Sequence, residues 1–272
     1  MIAFESEIGS EAPIGIFDSG FGGLTVARAI LDQLPNEDII YLGDTARTPY
    51  GPRPIAEVRQ YAIECMDRLV THGVKALVIA CNTASSAVLR DARERYDLPI
   101  TEVVMPAARR AVAATRNNRV GVICTEATAT SRSYNDAITA APQVTLTTQV
   151  CPRFVEFVES GVTGGEELLS VTREYLAPIQ RAGVDTLILG CTHYPLLAGV
   201  ISYVLGDEVT LVSSADECAK STYQMLQRRE LLHNEPRQAQ RMFLTTGNAD
   251  SFEGIGHRLM GGFVNDVHQI RL

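Results

Sequence analysis

The sequence predicts an α/β fold in which two similar doubly wound parallel-sheet domains face each other across a central cleft. Three observations predict it. Short apolar runs alternate with longer amphipathic stretches along the chain, the rhythm of a parallel sheet covered by helices on both faces. The segment HGVKALVIAC at residues 72–81 returns 110 residues later as AGVDTLILGC at 182–191. No apolar run reaches the ~18 residues that a membrane helix needs, and a chain of 272 residues with 46% hydrophobic content can bury a real core.

In chain order, residues 14–17, 39–42, 76–80, 100–104, 120–123, 144–150, 186–189 and 209–212 read as buried strands. Helical periodicity lies between them at 24–34, 55–71, 84–96, 107–115, 154–160, 166–181 and 216–229. In the repeated decapeptide each copy follows a helix, forms a strand and ends in a cysteine with a threonine one or two residues on (Thr83, Thr192). A weaker echo pairs IGIFD at 14–18 with VGVIC at 120–124. Any two buried parallel strands share apolar composition; a shared terminal cysteine favours two related halves. The expected division is residues 1–104 plus 214–272 for the first domain and 105–213 for the second. The chain would cross at Met105–Pro106 and at Ser213–Ser214, and residues 233–240 read as a loop. Residues 1–13 carry Glu5, Glu7 and Glu11 and no basic residue. They read as a loose extension without the charge of a signal peptide, which implies a cytoplasmic protein.

The net charge of −8 argues against nucleic acid as the main ligand. Six cysteines, at 65, 81, 124, 151, 191 and 218, lack C-x-x-C or zinc-site spacing and are expected to be free thiols.

Ligands of parallel sheets sit beyond the carboxyl ends of strands, so the residues after each strand carry the functional reading. Asp18-Ser19-Gly20-Phe21-Gly22-Gly23 follows the first strand. It is not a dinucleotide loop, because the last glycine of that motif is replaced by Thr25. A tight turn accounts for the glycines but not for Asp18 at a strand end. Asp44 and then Tyr50-Gly51 follow the second strand, where a plain turn is an equally good reading. The strongest pair is Cys81-Asn82-Thr83 and Cys191-Thr192-His193. A buried cysteine is usually an inert small hydrophobe, yet both occupy the same place in a repeat and both precede polar residues. His193 could exchange a proton with Cys191, and Asp18 could do the same near Cys81 if the first and third strands are neighbours. Cys65, Cys151 and Cys218 read as packing residues; Cys124 ends a strand and could touch the cleft.

Two thiols on opposite sides of one cleft suit inversion at a carbon, where one face loses a proton and the other gains one. A thiol with an ordinary pKa near ~8.5 can take either role once its surroundings tune it. The only lysines are Lys75 and Lys220. One begins a strand and the other lies in a late helix, so a pyridoxal Schiff base is not expected and no cofactor is assigned.

Taken in order, these segments resemble the cofactor-independent glutamate racemases. The resemblance runs from about Pro13 to Phe252. It includes Gly43-Asp44-Thr45, Pro49-Tyr50-Gly51, the spaced series Gly121, Thr125, Thr128, Ser131 and Tyr134, the run Gly190 to Leu197, and Thr246-Gly247. It implies that Cys81 and Cys191 are the acid/base residues, aided by Asp18 and His193 respectively. It implies that Asp18, Ser19, Tyr50, Gly51, Asn82, Thr83, Thr192 and His193 hold the amino and carboxylate groups of L- or D-glutamate. Asp44, Thr125, Thr128 and Glu159 would stand behind them. It further implies a homodimer that supplies D-glutamate for peptidoglycan. Some family members are allosterically tuned and some inhibit DNA gyrase, traits that nothing in these residues assigns. Cys124 departs from the pattern, since a small residue is usual there. Rival readings are an aspartate racemase, a cysteine hydrolase using Cys191 and His193 alone, and a gyrase-binding regulator with secondary catalysis.

Overall fold

The computed structural model describes residues 9–233 and 235–272. In chain order the first half supplies β1 (Ile14–Asp18), α1 (Leu24–Gln33), β2 (Ile39–Gly43), α2 (Ile55–Val70), β3 (Ala76–Ile79), α3 (Asn82–Arg95) and β4 (Ile100–Glu102). Next come α4 (Val104–Ala114), β5 (Arg119–Cys124), α5 (Glu126–Ser131), α6 (Ser133–Ile138), β6 (Thr145–Val150), α7 (Arg153–Glu159), α8 (Glu166–Arg181) and β7 (Thr186–Gly190). After a 3₁₀ turn at Tyr194–Leu197 follow α9 (Ala198–Leu205), β8 (Thr210–Ser213), α10 (Ser214–Arg228), β9 (Arg241–Thr245), α11 (Ala249–Met260) and β10 (Val267–Gln269).

The strands form two sheets, ordered β10-β9-β2-β1-β3-β4 and β6-β5-β7-β8, with every neighbouring pair parallel. The fold is thus two parallel-sheet α/β domains. The order β2-β1-β3-β4 in one sheet matches β6-β5-β7-β8 in the other, so the two echoes in the sequence occupy equivalent strands. β1 and β5 are the central strands; β3 and β7, each leading into a cysteine, lie beside them.

The inner strands β1, β2, β3, β5 and β7 are buried on both faces, which explains their continuous apolar runs; β6, read as a buried strand, is an edge strand with exposed Thr145 and Thr148. On the first sheet, Ile14, Ile16, Tyr41 and Val78 pack with α1, α10 and α11, while Phe17, Leu42, Leu77 and Ile79 pack with α2 and α3. On the second, Leu187 and Leu189 meet α7, α8 and α9, while Val120, Val122 and Ile188 meet α4 and α6.

Three further expectations change. The fourth strand ends at Glu102 rather than at Val104, because the Glu102 carboxylate accepts the N–H groups of Val104 and Met105 and starts α4 there. The helix read from residue 84 begins at Asn82. The described part of the extension is not loose: the Lys75 ammonium donates to the Ser10 carbonyl, and Glu11 meets His233 at 3.2 Å and Arg237 at 3.6 Å. Residues 1–8, also read as loose, lie outside the described residues.

Lys75 is fully buried, ion-paired with Glu37 at the amino end of the first sheet. Glu37 also accepts the His233 N–H at 2.8 Å, so this cluster ties the chain start, β3 and the loop before β9 together. Removing one member of such a pair strands the other charge in a dry site. Lys75→Met should therefore destabilise the protein by about 3–5 kcal/mol in urea unfolding; a loss under about 1 kcal/mol would place the cluster in wetter surroundings than its burial indicates.

Candidate active site

The first thiol is held where β1 and β3 end side by side. Their register pairs Phe17 with Ile79, which sets Asp18 and Ser19 beside Cys81. Cys81 is the N-cap of α3: its sulfur accepts the Ala84 N–H at 3.4 Å and lies 3.4 Å from the Ser19 hydroxyl oxygen. Asp18 is wholly buried and accepts the Gly20 N–H at 2.8 Å. Its other oxygen has no partner, and neither has the side-chain oxygen of Asn82. Burial raises the pKa of Asp18, against the opposing pull of His193 and the backbone N–H groups of Gly20 and Gly23. Burial and the neighbouring Asp18 push the Cys81 thiol up to about 12, so it rests as S–H.

The second thiol follows β7. Its neighbours form a relay: the Cys191 sulfur is 3.7 Å from His193 Nδ1, and His193 Nε2 is 3.0 Å from Glu159 at the end of α7. Burial alone would disfavour the imidazolium. The hydrogen bonds to Cys191 and Glu159 overcome that and hold His193 up to about 10. One side of the cleft therefore holds a neutral thiol and the other an imidazole kept charged between Cys191 and Glu159. The two thiols are near enough for charge on Cys191 to act on Cys81.

The two domains touch through side chains from the helix starts that follow the strands. The Thr25 hydroxyl lies 2.9 Å from the Gly22 carbonyl and 3.0 Å from that of Thr192. A methyl group on Gly22 would sit 2.3 Å from the Thr192 hydroxyl and 2.5 Å from His193 Nδ1, so glycine is required for this approach. Asn82 donates to the Tyr134 hydroxyl at 2.8 Å. The hydroxyls of Thr83, Thr125 and Thr128 form a triangle with sides of 2.9, 3.0 and 3.3 Å. Gly51 accepts the Ala127 N–H at 2.9 Å. Behind that loop, Asp44 takes hydrogen bonds from Tyr50, Arg47 and Thr246. Cys81 and Cys191 are left only 5% and 6% exposed.

The structure thus brings Asp18, Ser19, Cys81, Asn82, Thr83, Cys191, Thr192 and His193 together where the two domains meet, with Thr125, Thr128 and Glu159 around them. Tyr50 is a partial exception. Its ring is buried and its hydroxyl is taken by Asp44, so only the backbone of Tyr50–Gly51 remains to face a ligand. Cys124 lies in the apolar cluster with Val104, Ala107 and Tyr134, and burial pushes its thiol up to about 12; it is a packing residue. Thr25 was not legible from the sequence, where it serves only as the residue that breaks a glycine motif. Among the described residues no His, Cys, Asp and Glu side chains are grouped to hold a metal ion. A groove of about 840 Å³ lies between α3 and α6, lined by Arg93, Glu102 and Ser133, but neither thiol lines it. No helix among the described residues is long and apolar enough to cross a membrane.

The relay makes His193 a measurable reporter. In ¹⁵N-histidine NMR its imidazole should stay charged at pH 8 and titrate near 10, and Glu159→Gln should lower that value. Stability contributed by the charged ring is complete below ~6.5, the value of an unfolded-chain histidine, and is lost as pH rises through about 10. The stability difference between the wild type and His193→Gln should shrink across that window; a difference independent of pH would mean that the ring is neutral.

Comparison with known proteins places the chain in a family. The family model described as Asp/Glu/Hydantoin racemase matches residues 14–222. A glutamate racemase of Parafrankia sp. is 63% identical over 260 residues, covering 95% of this chain and 94% of that one. Among solved structures, a glutamate racemase isoform from Bacillus anthracis superposes with a TM-score of 0.91 at 38% identity, covering 97% and 98% of the two chains. A glutamate racemase from Francisella tularensis in complex with D-glutamate gives 0.90 at 32% identity, covering 96% and 98%. With most of its length matched in sequence and in fold, this chain belongs to the Asp/Glu/hydantoin racemase family.

Proposed function

We propose that the protein is a glutamate racemase that interconverts L- and D-glutamate by moving the α-proton between Cys81 and Cys191. The observation that carries this reading is the pair of thiols at equivalent strand ends of two similar sheets, both buried where the two domains meet. The relatives described above, whose names carry glutamate, support that amino acid as the substrate.

The chemistry follows from the geometry. One thiol, having lost its proton, takes the α-hydrogen as a proton; the electron pair stays on the α-carbon; the opposite S–H donates a proton to the other face. The next turnover needs the thiols in exchanged states, or a proton moved through their partners. His193, backed by Glu159, would shuttle protons for Cys191, and Asp18 for Cys81. The buried acceptor oxygens of Asp18 and Asn82 that lack partners suit the substrate ammonium. Ser19, Thr192 and His193, with the N–H groups of Asn82 and Thr83 that open α3, suit the α-carboxylate. The hydroxyls of Thr83, Thr125 and Thr128, next to the Tyr50–Gly51 backbone, suit a second carboxylate farther along the side chain. Fixed dipoles in a dry cleft would stabilise the carbanion without a cofactor. The same reading favours a cytoplasmic homodimer that supplies D-glutamate to peptidoglycan.

Circular dichroism of L-glutamate solutions tests this directly. Either Cys81→Ala or Cys191→Ala should lower racemisation by about 10³-fold or more, whereas retained turnover in Cys81→Ala would favour a hydrolase built on Cys191 and His193. Wild-type enzyme should act on L-glutamate well above L-aspartate, and the reverse order would favour an aspartate racemase. Thr128→Val should raise the KM for glutamate about tenfold, as expected for a lost hydrogen bond to a charged group. An unchanged KM would remove the hydroxyl triangle from the substrate site.

A further inference from the structure

Tyr41 is the one polar side chain on the inner face of β2, set among apolar residues. Its ring packs against Phe243 and Phe252 at centroid distances of 6.2 and 6.0 Å, and the residue is fully buried. Phenylalanine would fill that space equally well, so packing gives no reason for the hydroxyl. The hydroxyl reaches through the sheet end to the site: it donates to the Gly20 carbonyl at 2.8 Å. A methyl group placed on Gly23 would lie 2.6 Å from the Asp18 carboxyl carbon and 2.8 Å from the Tyr41 oxygen, so carboxyl, phenol and turn converge on one point. Gly43 approaches the same carbonyl, and an added methyl there would stand 2.6 Å from the Gly20 oxygen.

Gly20 is thereby held at both its peptide groups. Its N–H is fixed by Asp18 at 2.8 Å and its carbonyl by Tyr41 at 2.8 Å. Those two bonds set the path of the chain from Asp18 through Ser19, and Ser19 is the side chain 3.4 Å from the Cys81 sulfur. We propose that the Tyr41 hydroxyl is a positioning group for the Asp18–Gly20 turn and, through Ser19, for the thiol of Cys81. The proposal rests on the reading of Cys81 as one of the two acid/base residues. Burial, with Asp18 and Cys81 nearby, raises the phenol well above its ordinary pKa, so it remains a donor throughout the working range. The Tyr41 hydroxyl bonds the turn after β1 and not the one after β7, where Cys191 has its own partner in His193.

The test is the pH profile of iodoacetamide alkylation at each thiol, resolved by peptide mass spectrometry on substrate-free enzyme, for the wild type, Tyr41→Phe and Gly43→Ala. Ser19 favours the charged form of Cys81. Loosening the turn should therefore displace the rising limb of the Cys81 profile, lowering its alkylation rate about threefold at each pH between ~7 and ~10, and leave the Cys191 profile in place. Racemisation should fall about tenfold in the same variants, as expected for a small misplacement of an acid/base group. Gly43→Ala presses on the same carbonyl, and on the Phe252 ring beside it, while leaving the Tyr41 hydroxyl in place; it should give the same one-sided shift, which keeps the test available if Tyr41→Phe does not fold. An unmoved Cys81 profile, or equal shifts at both thiols, overturns the proposal. Failure of the racemase reading would show separately, as wild-type enzyme that does not racemise glutamate.

Discussion

Parallel pairing of β1 with β3, and of β5 with β7, is the constraint on which the rest of the molecule depends. In a parallel sheet neighbouring strands end on the same edge, so residues far apart in sequence arrive together. Asp18 reaches Cys81 only because Phe17 is opposite Ile79. In the second domain, Ile123 opposite Leu189 brings Thr125 alongside Cys191 in the same way. A single-residue slip in either pairing would turn the strand-end side chains to the opposite face.

The second requirement is that the two edges meet and exclude water. Thr25, Asn82 and the threonine triangle bridge the domains with hydroxyls and an amide rather than with charges. Neutral hydrogen bonds of this kind contribute little net energy each. Closure has a chemical effect as well. Burial raises both Asp18 and Cys81, and only the Cys191 side has a positive group built in. The symmetry of the fold is thus not a symmetry of charge: the two thiols occupy equivalent positions but differ in their partners.

Much of this arrangement could be read from the sequence. The central strands are unbroken apolar runs, and the repeated decapeptide marks both cysteines. Other parts carry no such signal. β9 begins with exposed Arg241 and Met242, and β10 is three residues long with two exposed; neither has the periodicity of a buried strand. α5 and α6 are six residues each, too short for a helical pattern to show. Contacts across the cleft, such as Thr83 with Thr125, join residues whose neighbourhood exists only after both domains have formed. Tyr41 could have been suspected, because a tyrosine within an apolar strand needs a hydrogen-bond partner for its hydroxyl, but the identity of that partner lies in the turn after β1. The tethering of Ser10 and Glu11 was hidden for a similar reason: their partners, Lys75, His233 and Arg237, are distant in sequence.

The central claim is that one carbon is deprotonated from one side and reprotonated from the other by two sulfurs. Its most direct test is turnover of L-glutamate in D₂O with no added cofactor, followed by NMR at the α-position of both enantiomers. The two-thiol site predicts that D-glutamate appears with solvent deuterium at the α-carbon from the first turnovers, while unreacted L-glutamate keeps its hydrogen. D-glutamate that retains the original hydrogen, or product that appears only when pyridoxal phosphate is supplied, would contradict it.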